Sequence, residues 1–376
     1  MKHFYEMPNR DSPLKKIFPY FLLLMVPGMV GSGCFGGSSS SSAPNPVPTS
    51  QGPTTPTLSA SASSLALAVN DPALSASLTG SPRTFTVTNT GGAAATSVAF
   101  SLSPALPTGT TISPANCGEL APAASCTITV TPGATPSAVA GGTNPTPVTL
   151  TVAGTNTNTL SLSVEVLTYG SVHQAGYLFA VDDTTPSTGS IGGKVAALTD
   201  QATAFSPGII WSSNGNGPTG SDVANDDIPG VYEASTTPAD ACNGNRDGAC
   251  NSRVTIAFYS APNPAINRSY YAAGLCSANI GGFTDWYLPT ICEFGYDAGG
   301  NAAGCGSQVS PIMQNMRTSL MDNGGNVAGF ADYYWSSTEA SGSPLWAFYA
   351  YMPFPYQSYA DKSNQLGVRC ARAVTN

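Results

Sequence analysis

Nine cysteines and two histidines are the chain's most reactive side chains. A cysteine is a nucleophile or metal ligand as the thiolate, and a cross-link when paired. Cys117 and Cys126 stand far in sequence from Cys242, Cys250, Cys276, Cys292, Cys305 and Cys370. No CxxC pair exists, so zinc ligation is a poor fit. Cys34 lies apart, near the start, and without it eight remain. An even set in an exported chain implies disulfides. Ser336, Ser337 and Thr338 offer hydroxyl nucleophiles, but a hydroxyl needs a base. After the first thirty residues the chain has one histidine, His173, which reads as a surface residue at a strand entrance. Glu293 and Asp297 would share a face of a helix, yet Gly295, Gly299 and Gly300 argue for a turn. No catalytic residue is assigned, and no cofactor is expected.

Metal chemistry has two further candidates. Asn243, Asn245 and Asp247 place oxygen ligands at alternate positions, as a calcium loop begins. The twelfth position, where a closing carboxylate belongs, is Val254, so this is no EF-hand. Asp222, Asp226 and Asp227 form a second acidic group. Both read as solvated loops, and no metal site is expected.

The opening of the chain has the pattern of an export signal. Lys15 and Lys16 precede an apolar run from Ile17 to Val30, and Gly31-Ser32-Gly33-Cys34 follows. The run is short for a transmembrane helix. A cysteine after small residues resembles the bacterial lipobox, although Gly31 stands where leucine is usual. The expectation is a signal peptide over residues 1–33 and lipid on Cys34. Phe35 in place of aspartate resembles the pattern of export to the outer membrane. After cleavage before Cys34 the chain has nine basic and nineteen acidic residues, a net charge of about −10. That excludes nucleic acid and anionic membrane surfaces as partners; membrane contact is expected through the lipid alone.

Residues 34–57 are a Ser/Pro tether with nothing to bury. Stretched, it reaches on the order of 70 Å. Residues 58–168 alternate apolar and polar side chains: Phe85 and Val87, Val98 to Leu102, Cys126 to Val130, Val148 to Val152, Leu160 to Val164. Short strands separated by turns predict a β-sandwich, with a Cys117–Cys126 bridge. The stretch from Thr84 to Gly92 and the pair Asn116-Cys117-Gly118 and Ser125-Cys126-Thr127 resemble bacterial immunoglobulin-like modules. Such a module is expected to act as a stalk.

Residues 169–376 predict an α+β domain. Tyr177, Phe179 and Val181 give an opening strand, Ile209 to Trp211 a second and Val254 to Phe258 a third. Tyr270, Tyr271, Leu275 and Cys276 lie at helical spacing within 267–278, with Asn267 or Ser269 as cap. Ser310-Pro311 starts a second helix, with Ile312, Met313, Met316 and Leu320 on one face and Asn323-Gly324 at its end. Strands return around Trp335, Trp346–Tyr351 and Leu366–Arg372.

Here a resemblance becomes specific. Tyr270 to Cys276, Gly282-Phe-Thr-Asp-Trp-Tyr-Leu-Pro-Thr290 with Glu293, Tyr334-Trp-Ser-Ser-Thr338 and Gly367-Val-Arg-Cys370 resemble, in order, the C-terminal domain of the Legionella collagen-like adhesin. The likeness covers residues 169–376 and implies a fold similar to C-type-lectin-like and sulfatase-modifying-factor domains. The fold class expected is therefore multidomain: an immunoglobulin-like sandwich, then a disulfide-stapled C-type-lectin-like α+β domain. The function implied is adhesion by a surface lipoprotein to a glycan or protein ligand. The alternatives are an envelope interaction module and an enzyme related to sulfatase-modifying factors. Six cysteines allow fifteen pairings; sequence proximity favours Cys242–Cys250 and Cys292–Cys305, leaving Cys276–Cys370. Trp286 and Trp335 are core candidates. In the aromatic stretch 346–359, alternation puts Trp346 and Phe348 inward, and Tyr349, Tyr351, Tyr356 and Tyr359 are the ligand-binding candidates. The domain has eight basic residues against sixteen acidic, so a polyanion is a poor ligand.

Overall fold

The computed structural model describes residues 55–70, 80–183, 191–205, 207–234, 242–262 and 264–375. The signal, Cys34 and nearly all of the tether lie outside these residues. The described chain is mostly β. Its first part carries nine strands: β1 (Leu58–Ala60), β2 (Ser64–Ala68), β3 (Arg83–Asn89), β4 (Ala95–Ser103), β5 (Thr111–Ser113), β6 (Asn116–Leu120), β7 (Ser125–Thr131), β8 (Val148–Ala153) and β9 (Thr159–Leu167). They form two sheets, ordered β1-β3-β7-β5 and β2-β9-β8-β4-β6. Period-two patterning explains them. In β3, Arg83, Phe85, Val87 and Asn89 are buried while the threonines between are half-buried. Phe85, Val87, Ile128, Leu150, Val152 and Val164 meet in one core between the sheets. Asn89 locks one end: its amide donates to the Ala93, Leu120 and Ala121 carbonyls and accepts from the Thr57 and Gly91 N–H groups. The Cys117–Cys126 disulfide joins β6 to β7 and so ties the two sheets together.

The second part adds β10 (Val172–His173), β11 (Gly176–Asp182), β12 (Gly192–Ala197), β13 (Gly306–Ser307), β14 (Ser310–Pro311), β15 (Tyr333–Glu339), β16 (Trp346–Tyr351), β17 (Tyr356–Asp361) and β18 (Ala371–Ala373). Sheets β10-β11-β12-β18 and β15-β16-β17 carry it, with helices α1 (Gly248–Ser260), α2 (Ala272–Leu275) and α3 (Ile291–Phe294). Trp211, Trp286 and Trp335 are buried in its core. The expected pairings Cys242–Cys250, Cys276–Cys370 and Cys292–Cys305 are all formed.

The two parts share that core. Ala66, Ala68, Val69, Val166 and Leu167 pack in one cluster with Leu178, Val181, Ile191 and Val195. The Ile191 N–H donates to the Ala66 carbonyl, and buried Arg83 pairs with Asp183. The sandwich and the second part therefore pack against each other through one apolar cluster.

Four elements differ from expectation. Val254 to Phe258 is helix, not strand. Its buried face is Gly248, Asn251, Ser252, Thr255 and Tyr259, while Phe258 faces out. Asn251 and Ser252 can point inward because they find partners there. The Asn251 amide donates to Gly244 and Ser337, and the Ser252 hydroxyl accepts from the Leu288 N–H. Ser310-Pro311 lies in the β13–β14 hairpin, closed by the Ile312 N–H on the Cys305 carbonyl. The helix starts later, as a π-helix over Arg317–Asp322 ended by Asn323, with Met316 and Leu320 buried. Residues 267–278 make two short turns: a 3₁₀ turn at Arg268–Tyr270 capped by Asn267, then α2, separated by extended Tyr271. Gly274 permits this crossing, since a Cβ there would lie 2.1 Å from the Arg268 carbonyl oxygen. Ile209 to Trp211 makes only an isolated bridge, Ile209 to Leu366.

Candidate ligand-binding surface

Strands β15, β16 and β17 set the tyrosines in register. Tyr333 lies opposite Tyr351, and Tyr351 opposite Tyr356, so three tyrosines cross the sheet in one row. The next row is Trp335, Tyr349 and Ser358. The Tyr333 and Tyr351 rings stack with centroids 4.2 Å apart. Tyr349 lies 5.7 Å from Tyr333 and 6.4 Å from Tyr356. Two loop residues extend the surface. Phe354 stacks on Tyr351 at 5.6 Å, and Phe205 meets Tyr333 edge-on at 6.0 Å. Phe354 is 63% exposed, Phe205 65% and Tyr356 38%.

Six contiguous rings, three of them facing solvent, are a costly surface in water. Phe205 adds backbone strain, with φ of 59°. A bulky residue rarely sits there, and strain of this kind collects at binding sites. Burial raises the Tyr349 phenol above its ordinary pKa, helped by Tyr356 and Tyr333. It stays protonated and neutral. The face thus offers flat apolar rings with phenolic donors, and no formal charge among these six residues.

Of the four tyrosines expected to bind, Tyr349, Tyr351 and Tyr356 come together here. Tyr359 does not: it is opposite Phe348, on the other face of the sheet. There it stacks on Trp346 at 4.8 Å. Trp346, expected in the core, is 36% exposed. It opens β16 opposite exposed Asp361, at the sheet's rim, and covers Tyr359 instead of entering the core. Tyr333 was legible from its alternation with Trp335; Phe205 and Phe354 come from loops that no periodicity marks.

The other chemical candidates are committed to the fold. The Ser336 hydroxyl donates to the Phe348 carbonyl and the Thr338 hydroxyl to that of Gly244. His173 lies 3.3 Å from Glu165. Glu293 completes the capping box of α3 and pairs with Lys194, while Tyr287 donates to it. Asp297 accepts the Ala303 and Cys305 N–H groups. Asp247 caps α1 through the Cys250 N–H, and Asp222 accepts from Thr219. Among the described residues no group of three or more His, Cys, Asp or Glu could hold a metal ion.

Most basic residues are similarly occupied. Lys362, wholly buried, pairs with Glu339 and lies over the Trp211 ring. Burial pushes the Glu339 carboxyl up to about 7 and the Lys362 ammonium down. Arg369 pairs with Asp200 and donates to the Ala197 and Ala328 carbonyls. Arg372 pairs with Asp285, and Arg317 pairs with Asp322.

No family model and no curated protein matches the chain. Among solved structures the chain is similar to the ASH/PapD-like domain of human CEP192 (PapD-like domain 7), at 12% identity, covering 37% of this chain and 99% of that one. The TM-score is 0.21, a likeness that carries no argument.

Proposed function

We propose that this is an outer-membrane surface lipoprotein that displays a lectin-like binding domain and acts in adhesion. In this reading Cys34 carries the lipid, residues 58–168 are an immunoglobulin-like module, and residues 169–376 are a C-type-lectin-like domain of the adhesin family named above. The observation that supports it best is the aromatic row of β15–β17, half-buried in the sheet and carried into solvent by Tyr356, Phe354 and Phe205. Flat rings match the C–H faces of sugars, and phenols supply hydrogen bonds. The ligand we favour is a neutral glycan. A protein partner is the second reading, supported by the flatness of the tyrosine row. We do not propose an enzyme: the eight cysteines that a reactive-cysteine mechanism would draw on are paired, and the candidate hydroxyls are hydrogen-bonded. Glycan-array binding of the full chain, with calcium added and with calcium chelated, tests this reading. Binding to uncharged glycans, unchanged by chelation, is expected. An array with no binding to any glycan would remove the glycan reading and leave the protein partner.

A further inference from the structure

A groove along helix α1 has different chemistry. It runs between α1 and the Thr284–Tyr287 segment, with a volume of about 460 Å³. Arg253 and Arg268 both line it, with Ile256, Ala257, Ser277 and Thr284. Five of the domain's eight basic residues, Lys194, Arg317, Lys362, Arg369 and Arg372, pair with carboxylates. Among the described residues Arg253 and Arg268 have no carboxylate partner. Arg253 reaches only the Cys250 sulfur at 3.3 Å, and Arg268 the Ser277 hydroxyl at 3.4 Å. Of the three basic residues left without a carboxylate, two therefore share one groove. Asp285 also lines it, but Arg372 holds that carboxylate.

We propose that this groove is a second binding site, for a sugar bearing a single carboxylate. Two guanidinium groups with unused donors match one carboxylate and the hydroxyls beside it. Ile256 and Ala257 give an apolar strip for the ring's C–H face, and Thr284 and Ser277 give hydroxyls. An extended peptide is the poorer fit, because one of the two walls is a helix whose backbone groups are already bonded. The acidic surroundings select against a polyanion, since only two charges are concentrated here. The proposal rests on the reading of the domain as a glycan binder, but on none of the residues of the aromatic face.

Titration calorimetry of the full chain tests it with glucuronic acid, N-acetylneuraminic acid, their methyl esters and a short peptide with a free C-terminus. At least one free acid should bind, with its ester at least about tenfold weaker. Arg253→Gln and Arg268→Gln should each weaken the acid about tenfold at an unchanged melting temperature, because both side chains are exposed. Tyr351→Ala should leave it unaltered. Failure of both acids to bind at millimolar concentration would overturn the proposal, as would equal binding of acid and ester. So would peptide binding that matches the sugar's. Loss of acid binding in Tyr351→Ala with retention in both arginine variants would move the anion to the aromatic face and overturn it too. Loss of neutral-glycan binding in Tyr351→Ala, with acid binding intact, would bear on the aromatic face alone.

Discussion

Removing the Cys276–Cys370 bridge should cost more than removing any other. The bridge spans a sequence separation of 94, against 8 for Cys242–Cys250, 9 for Cys117–Cys126 and 13 for Cys292–Cys305. Loop-closure entropy scales with the logarithm of loop length, which gives about 4.7 kcal/mol for the long tie and about 2.6–3.0 kcal/mol for the short ones. Position adds to this. The long tie joins the end of α2 to the residue before β18, and both cysteines are fully buried beside Trp286 and Trp335. Alanine at both positions leaves an apolar site with no unpaired polar group, so the entropy term should dominate. With a urea slope of about 2–3 kcal/mol per molar, the midpoint of Cys276→Ala/Cys370→Ala should fall by about 2 M, and that of Cys242→Ala/Cys250→Ala by about 1 M. Urea unfolding followed by tryptophan fluorescence, without reductant, reads both. Equal shifts, or a larger shift for the short bridge, would refute the chain-entropy reasoning.

The Glu339–Lys362 pair gives two expectations. Lys362→Met alone strands a buried carboxylate and should cost about 3–5 kcal/mol in urea unfolding, while Lys362→Met with Glu339→Gln should cost much less. Because Glu339 titrates at about 7 when folded and at 4.5 otherwise, the folded state binds the extra proton between those values. Its stabilising contribution is full below about pH 4.5 and is lost as pH rises through about 7, so the double variant should show a flatter stability profile across that window. Gly274→Ala should lower stability by about 2 kcal/mol or more, since the Arg268 backbone blocks a Cβ; an unchanged melting temperature would contradict the packing described. Heparin should bind poorly at physiological salt, because the paired bases are not available to it; tight binding that falls steeply with salt would contradict this.

The sandwich was legible because its strands bury one face. Phe85 and Val87, or Val148, Leu150 and Val152, write the core into the sequence at period two. Helix α1 was not legible, because the face it buries is polar. Asn251, Ser252 and Thr255 look solvent-facing until the fold is assembled around them, with Gly244, Ser337 and Leu288 in place to bond the first two. The cap Asp247 was the available signal, but its setting beside Asn243 and Asn245 suggested a cation loop instead. The tyrosine row was partly legible, since alternation along β16 separates Tyr349 and Tyr351 from Phe348. Strand pairing decides the rest: one position in β17 places Tyr356 with the row, and the pleat sends Tyr359 to the other side. The arginine groove had no linear trace, because Arg253 and Arg268 lie on separate elements brought together only by packing.

The central claim is that the face carrying Tyr333, Tyr351 and Phe354 is the one that holds ligand. Its most direct test compares Tyr351→Ala/Phe354→Ala with Trp346→Ala/Tyr359→Ala, the aromatic pair on the opposite face, in glycan-array binding or adhesion of the full chain. Each stacked ring is worth about 1 kcal/mol. The first variant should therefore lose at least about tenfold in affinity while keeping its fold by circular dichroism, and the second should bind as the parent does. Retained binding in the first variant, or its loss only in the second, would contradict the account.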